Sequence, residues 1–171
     1  VFTRLVGCYT QRGFRPAPLS QGRNSGMSTP ICLDFYVEAD DYLVAGAASN
    51  NIKEALKMIG VPSDICRRAA VITYEAEMNL VIHGGGGTIL ATISSDQVEI
   101  QTIDEGPGIA DISRAIEEGY TTASDQAREM GFGAGMGLPN IKRNADEFEL
   151  ESEVGKGTKL RTVLRFPKKS E

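Results

Sequence analysis

The sequence predicts an α+β domain, a two-layer sandwich in which helices cover one face of a mixed, mostly antiparallel sheet. Residues 31–37 alternate between apolar and polar, which is typical of a half-buried strand. The next two segments repeat apolar residues at helical spacing instead. Later in the chain, two pairs of β runs are each joined by a short turn, which favours antiparallel hairpins. This order of strands and helices indicates an α+β architecture.

The first strand and the first helix follow from periodicity and capping. The strand at 31–37 places three apolar side chains on one face: Leu33, Phe35 and Val37. Asp40 and Asp41 are suited to cap a helix that runs to about residue 59, and Gly60 ends it. The apolar side of this helix is formed by Leu43, Ala47, Ile52, Leu56 and Ile59.

A second helix is predicted from residues 62–63 to about residue 83, where four consecutive glycines end it. Its apolar positions are Ile65, Ala69, Ile72, Ala76 and Leu80. The elements that follow are strands at 88–93 and 98–103, a short helix at 111–118, a long flexible loop without periodicity at 119–136, a helix at 138–145, and strands at 147–152 and 158–166.

Composition excludes several classes of protein. The chain has 171 residues, 41% of them hydrophobic and 24% charged, which is an ordinary globular balance. No apolar run approaches the roughly 20 residues that cross a bilayer. A net charge of −5 argues against direct binding of nucleic acid by phosphate neutralisation. Three dispersed cysteines without a CxxC pair favour a reducing, cytoplasmic setting, and a single histidine excludes a multi-histidine metal centre.

The first 26 residues differ from the rest, since they hold four arginines and no acidic residue. Without them, 27–171 has 14 basic and 23 acidic residues and a net charge of −9. We expect 1–26 to be a leader outside the fold, non-native or disordered, with Met27 as the natural start. An Arg-rich targeting peptide is the alternative. The predicted domain is therefore 27–171.

Eleven of the 19 glycines fall between residues 84 and 137, and two ordered sets stand out. One is Gly133-x-Gly135-x-Gly137, which leads directly into a predicted helix and so offers backbone N–H groups to an anion. It is neither a Walker A loop nor a Rossmann fingerprint. The other is Asp104-x-Gly106-x-Gly108 after a strand, where the Asp104 carboxylate can accept a hydrogen bond from an exocyclic amine or simply cap the turn.

The second helix carries Glu75, Asn79 and His83 at i, i+4 and i+8, on one strip of its surface. A half-buried carboxylate there can act as a general base, and the Asn79 carbonyl is an oxygen ligand suited to Mg²⁺. A solvated helix face is the alternative for each residue taken alone.

In combination and order, these motifs resemble the Bergerat-fold (GHKL) ATPases, a superfamily that includes the sensor histidine kinases and gyrase. The resemblance covers about 31–166. Four segments are most similar to bacterial anti-sigma-factor serine/threonine kinases and to stress-signalling switch kinases: ITYEAEMNLVIHG, IDEGPGIADI, Tyr120-Thr121-Thr122 and GAGMGLPNIKRNADEFELESEVGKGT. The resemblance implies ATP and Mg²⁺ as cofactors.

The resemblance also implies roles for single residues. Asp104, helped by Thr158, would bind the adenine amino group, and Asn79 would coordinate Mg²⁺. The glycines of the two sets would pass beneath the base or close over the phosphates: Gly106, Gly108, Gly133, Gly135 and Gly137. The helix from Leu138 would point at the phosphates, and His83 would belong to the cofactor-binding set, although taken alone it is expected to cap or pack. Residues 119–132 would form a lid whose only cation, Arg128, would steady the γ-phosphate or a partner protein.

Glu75 would be the base for, or would orient, a serine or threonine hydroxyl on a STAS-domain anti-anti-sigma protein. The implied function is thus a protein kinase that also binds a sigma factor or another regulator. Two alternatives stay open: a nucleotide-gated interaction module with little kinase activity, and the stand-alone catalytic part of a histidine kinase whose accepting helix lies on another chain. Pairing of two copies is a further expectation.

Overall fold

The computed structural model describes residues 29–42, 45–129 and 131–167. The predicted leader, 1–26, and Leu43 of the first predicted helix lie outside these residues. Among the residues described, no helix is both long and apolar enough to span a lipid bilayer.

A five-stranded sheet forms one layer. Its strands are β1 Ile31–Glu38, β2 Gly86–Ile93, β3 Gln97–Ile103, β4 Glu147–Glu153 and β5 Gly157–Arg165. Their spatial order is β1-β2-β3-β5-β4, and all four pairings of these strands are antiparallel. The predicted α+β class is confirmed, with the refinement that the described sheet has no parallel pair. The pairs β2–β3 and β4–β5 are hairpins, and β1 is connected to β2 through two helices.

Helices form the second layer. They are α1 Ala47–Met58, α2 Ser63–Asn79, α3 Ile112–Ala115, α4 Asp125–Glu129 and α5 Gly137–Asn144. Helix α2 packs against both α1 and α5. The alternation predicted for β1 is observed, because Leu33, Phe35 and Val37 are buried and join a core that includes Ile72 of α2 and Ile89 of β2. The other face of the sheet is charged.

A single arginine organises that charged face. Arg161 of β5 forms ion pairs with Glu99 of β3 and with Glu147 and Glu149 of β4. All four residues point to the same side, because they occupy paired or alternate positions of three neighbouring strands. The helices therefore cover one face only, and the edge of the sheet at β4 is acidic.

Helix α1 begins later than predicted. It starts at Ala47, with Gly46 as N-cap, and not after Asp40 and Asp41. Asp40 adopts a φ of 57°, in the left-handed region, and lies in a turn that precedes the helix. The backbone N–H groups of Ala48 and Ser49 instead donate to the buried carboxylate of Glu77, at 3.3 and 3.5 Å. A residue 29 positions away thus caps this helix, which no local pattern could reveal.

Helix α2 and the loop after α3 also differ from the prediction. The α-helix ends at Asn79, and a π-helical turn at Leu80–Gly84 follows, so His83 does not continue the α-helical strip. Helix α3 is shorter than the predicted 111–118, with the Asp111 side chain capping it. Helix α4 lies inside the segment that was predicted to lack structure.

Candidate nucleotide-binding site

Asp104 follows the last residue of β3 and is anchored by two backbone groups. Its Oδ1 accepts hydrogen bonds from the N–H of Gly106, at 2.9 Å, and from the N–H of Thr158, at 3.1 Å. Burial raises the pKa of this carboxyl, although the two N–H donors work in the opposite direction. Since both donors use Oδ1, Oδ2 is left to accept a hydrogen bond from a ligand amine.

The glycines beside Asp104 bring three backbone segments together. A Cβ placed on Gly106 would lie 2.5 Å from the carbonyl oxygen of Gly84, so a side chain here would push the Asp104 loop away from the π-helical turn. Gly108 lies equally close to the backbone of Glu153, at the end of β4. We therefore attribute a structural role to these glycines in addition to the predicted passage beneath a base.

A hydroxyl pair extends the anchoring to β4. Ser152 Oγ lies 2.9 Å from Thr158 Oγ1 and accepts a 2.8 Å hydrogen bond from the N–H of Ile109. Ser152 thus links the Asp104 loop to the β4–β5 hairpin. The sequence analysis did not identify Ser152, because its 43-residue separation from Ile109 leaves no local signal.

Asn79 and the start of α5 form the second part of the site. A Cβ placed on Gly137 would lie 2.9 Å from Asn79 Oδ1, so the first residue of α5 approaches this amide closely. Any side chain at position 137 would fill the space beside that oxygen. The amide oxygen of Asn79 suits a phosphate-bound Mg²⁺, which takes few protein ligands, and the N–H groups of Gly137 and Leu138 at the start of α5 suit the phosphate. In the described part of the chain, no group of three or more His, Cys, Asp or Glu side chains could hold a metal ion.

The lid is joined to the rest of the domain at its ends. The N–H of Gly119 donates a 3.0 Å hydrogen bond to the carbonyl of Gly135, and Gly133 lies against Ala123. Close to its other end, the ring of Phe132 stacks on Tyr42, with centroids 5.4 Å apart. Two glycines of the predicted phosphate loop therefore differ in role: Gly135 closes the base of the lid, and Gly137 begins a helix.

His83 and Arg128 differ in how they relate to the lid. His83 Nδ1 lies 3.4 Å from the hydroxyl of Thr122, and burial lowers the pKa of the imidazole. His83 is thus in contact with the lid, although the π-helical turn carries it. Arg128 is exposed on α4 and has no ion pair with any residue in the described ranges.

Glu75 is held from the neighbouring helix. Its Oε1 accepts a 2.6 Å hydrogen bond from Nδ2 of Asn140 on α5. The Asn140 Oδ1 accepts in turn from Arg143, which also forms a 2.6 Å ion pair with Glu118 where the lid begins. This network of Glu75, Asn140, Arg143 and Glu118 was not predicted. The segment Leu138-Pro139-Asn140 offered a signal only in hindsight, as a polar residue in the first turn of a helix that the glycine loop opens.

Comparison with known proteins places this geometry in a family. Residues 67–170 match the family model described as histidine kinase-, DNA gyrase B-, and HSP90-like ATPase. This range includes Glu75, Asn79, Asp104 and the whole of the lid. It covers more than half of the chain.

Individual relatives agree with this match. The chain is 34% identical to the serine/threonine-protein kinase RsbT of Bacillus subtilis over 141 residues, or 80% of this chain and 97% of that protein. It is 39% identical to the anti-sigma F factor of Caldanaerobacter subterraneus over 84% of this chain and 86% of the relative. A Thermoanaerobacter anti-sigma F factor is 42% identical over 92 residues, and that alignment spans only 61% of its length. The chain belongs to the histidine kinase-, DNA gyrase B- and HSP90-like ATPases, the GHKL superfamily predicted from its motifs.

Proposed function

We propose that this protein is an ATP-dependent serine/threonine kinase and anti-sigma regulatory factor that acts in the cytoplasm. Its substrate is a STAS-domain protein, and it also binds a sigma factor or a related regulator. The observation that supports this best is the pairing of Glu75 and Asn79 on successive turns of α2, with Glu75 fixed by Asn140. Relatives named as a serine/threonine-protein kinase and as anti-sigma factors point the same way.

In this proposal, the nucleotide is held at two places. Asp104 Oδ2 accepts a hydrogen bond from the adenine amine, while its Oδ1 stays on the backbone of Gly106 and Thr158. At the other end, Asn79 offers its amide oxygen to Mg²⁺, and the N-terminus of α5 faces the phosphates. ATP and Mg²⁺ supply the transferable phosphoryl group and much of the charge neutralisation.

Glu75 receives the proton of the incoming serine or threonine hydroxyl, or orients that hydroxyl. The hydrogen bond from Asn140 fixes one carboxylate oxygen and leaves Oε2 to face the substrate. Phosphoryl transfer depends mainly on positioning and charge stabilisation, so a single well-placed carboxylate is sufficient protein chemistry.

The test is a transfer assay with the full chain, radiolabelled ATP, Mg²⁺ and purified STAS-domain proteins. We expect phosphoserine or phosphothreonine on one of them, and its loss in Glu75→Gln, which retains nucleotide binding. Stable binding of a STAS-domain protein by the wild type, with no phosphate transferred, would contradict kinase activity.

A second candidate is a nucleotide-gated interaction module. The contacts that join the lid to the domain favour it, because His83, Gly119 and Phe132 are each engaged with a different segment. A ligand that moves the lid would change all three contacts. A pull-down of a bound regulator with ATP and with ADP separates the candidates, since a gated module binds its partner differently in the two nucleotide states.

A further inference from the structure

A groove of about 570 Å³ runs between α1 and α2, on the side of the helical layer where Glu75 emerges. Its lining residues are Lys53, Lys57, Ser63, Cys66, Arg67, Ala70, Val71, Tyr74 and Glu75. Three features distinguish it: cationic rims on both helices, a floor of small and apolar side chains, and the proposed catalytic carboxylate at one end.

The charge of the groove contrasts with that of the domain. Residues 27–171 carry a net charge of −9, yet three cations converge on this surface. Glu54 forms a 2.7 Å ion pair with Lys57 on the exposed side of α1. Lys53 and Arg67 form no ion pair with any residue that the structure describes, although Lys53 interacts electrostatically with Glu54. Two cations without an ion pair on facing helices favour a local positive potential.

The two helices determine how the charges are spaced. Lys53 and Lys57 are four residues apart and therefore share one face of α1. On α2, Arg67 and Glu75 are eight residues apart, or about 12 Å along the helix axis at 1.5 Å per residue. An extended peptide covers that distance in about four residues. A segment whose hydroxyl reaches Glu75 would thus bring a residue about four positions away beside Arg67.

The floor and the end of the groove are suited to a peptide. Cys66 is buried, Ala70 and Val71 are partly buried, and Tyr74 is 40% exposed beside Glu75. An aromatic ring with an open face offers a rigid contact surface with little entropy to lose on binding. The floor can cover apolar side chains of a segment while the rims pair with its carboxylates.

We propose that this groove binds an acidic segment of the protein substrate, with carboxylates about four residues from the accepting hydroxyl. The inference rests on the proposed kinase function and adds to it the chemistry that selects the substrate. Lys53 and Arg67 are the residues that specify the partner, and they do so by attraction to Asp or Glu without contact with ATP.

The number of cations in the groove favours a peptide over a nucleic acid as its ligand. Three cations on an acidic domain would release few counterions from a phosphate backbone, whereas two or three carboxylates match them one to one.

The experiment measures binding of fluorescent 12-residue peptides to the full 171-residue chain by anisotropy, without nucleotide. One peptide has a single serine followed by four glutamates, its twin has glutamines in their place, and a 12-nucleotide single-stranded RNA serves as competitor. We expect the Glu peptide to bind at least about tenfold more tightly than the Gln peptide and to lose affinity as salt rises.

Two variants locate the binding surface. Lys53→Glu/Arg67→Glu should reduce binding of the Glu peptide to that of the Gln peptide, and should bind a Lys-substituted peptide that the wild type does not bind. This gain shows that the double variant is folded. Lys142→Glu makes the same kind of charge change on the exposed surface of α5 and should leave affinity unchanged. Equal binding of the Glu and Gln peptides, full affinity in the double variant, or stronger displacement by RNA than by the Glu peptide would overturn the proposal.

Because the assay needs no phosphate transfer, its outcome is separate from that of the kinase assay. If the chain binds the Glu peptide but phosphorylates no STAS-domain protein, the proposed acidic-segment site stands and the proposed kinase activity is wrong. If the chain phosphorylates a STAS-domain protein but binds the two peptides equally, only the proposed role of the groove is wrong.

Discussion

Asn140 on α5 donates a 2.6 Å hydrogen bond to Glu75 on α2, and this contact joins residues 65 positions apart. It fixes one oxygen of the only carboxylate that lies one turn before Asn79. The same asparagine accepts a hydrogen bond from Arg143, which pairs with Glu118 at the start of the lid. The orientation of Glu75 is therefore connected to the segment that is predicted to close over a nucleotide.

Removing this contact should slow transfer without weakening ATP binding. We expect Asn140→Ala to lower kcat by about 10- to 100-fold, because an unrestrained carboxylate is less well positioned. The KM for ATP should stay close to the wild-type value. Steady-state kinetics with a phosphorylated substrate protein measure both, and a rise in KM at constant kcat would contradict a positioning role.

Asn140→Asp is a sharper variant of the same test. A second carboxylate beside Glu75 adds a like charge and removes a hydrogen-bond donor, so the acidic limb of the pH–rate profile should move to higher pH. A merely structural role for Asn140 would leave that limb in place. Lys142→Ala, on the same helix but exposed, is the matched control.

Asp104→Asn should abolish most nucleotide binding while the domain stays folded. The amide oxygen can still accept from Gly106 and Thr158, but the amide nitrogen would then face the adenine amine with a donor. We expect an increase in Kd of at least about 10- to 100-fold, equal to roughly 1.4–2.8 kcal/mol. Fluorescence of a labelled ATP analogue measures it, with circular dichroism as the check on folding. Wild-type affinity would show that the adenine lies elsewhere.

Glu77 should make the stability of the domain depend on pH. Burial raises the pKa of this carboxyl above 4.5 in the folded state, despite the N–H donors of α1. The folded state therefore binds the proton more tightly than the unfolded chain, and its contribution to stability is present below pH 4.5 and declines as pH rises through the folded pKa. We expect the unfolding free energy of the wild type, relative to Glu77→Gln, to fall over that interval in urea titrations.

Glu77→Ala tests the cap itself. It leaves the N–H groups of Ala48 and Ser49 without their acceptor at a buried helix start. We expect a loss of about 1–3 kcal/mol. Glu54→Ala, on the exposed side of α1, should cost clearly less, because its ion pair with Lys57 is exposed to solvent. Equal losses in the two variants would contradict a capping role for Glu77.

The single histidine permits a direct measurement at the lid. Burial lowers the pKa of His83 below 6.5, so the folded state binds its proton less tightly than the unfolded chain does. Stability from this group is complete above pH 6.5 and is lost as pH falls through the folded pKa. Proton NMR of the imidazole should give a midpoint below 6.5 in the native protein and near 6.5 in urea. A native midpoint at or above 6.5 would contradict burial of His83.

The fold could be predicted where structure depends on neighbours in sequence. The alternation of Leu33, Phe35 and Val37 indicated both the strand and its buried face, and helix α2 followed from its apolar period. The start of α1 could not be predicted, because Asp40 and Asp41 are good local caps whereas the observed acceptor is Glu77. The five-residue helix α4 is too short to show a period.

The residues of the candidate site also fall into those with a local sequence signal and those without one. Asp104, Asn79 and the glycines could be predicted as site residues because each motif occupies a few consecutive residues in a fixed order. Asn140 and Ser152 were missed because their partners are 65 and 43 residues away in the chain. The cationic groove was missed as well, since Lys53 and Arg67 face each other only after two helices pack.

The hydrogen bond between Gly119 and Gly135 makes the lid a ring, whose circumference is set by the residues between these two glycines. The cost of closing a ring rises only with the logarithm of its length, by about 0.6 kcal/mol for each doubling. Residues can therefore be added to the outer part of the ring, around α4, with little penalty to the domain below. The lid is thus the part of this protein whose size can vary while Asp104, Asn79 and Glu75 stay in place.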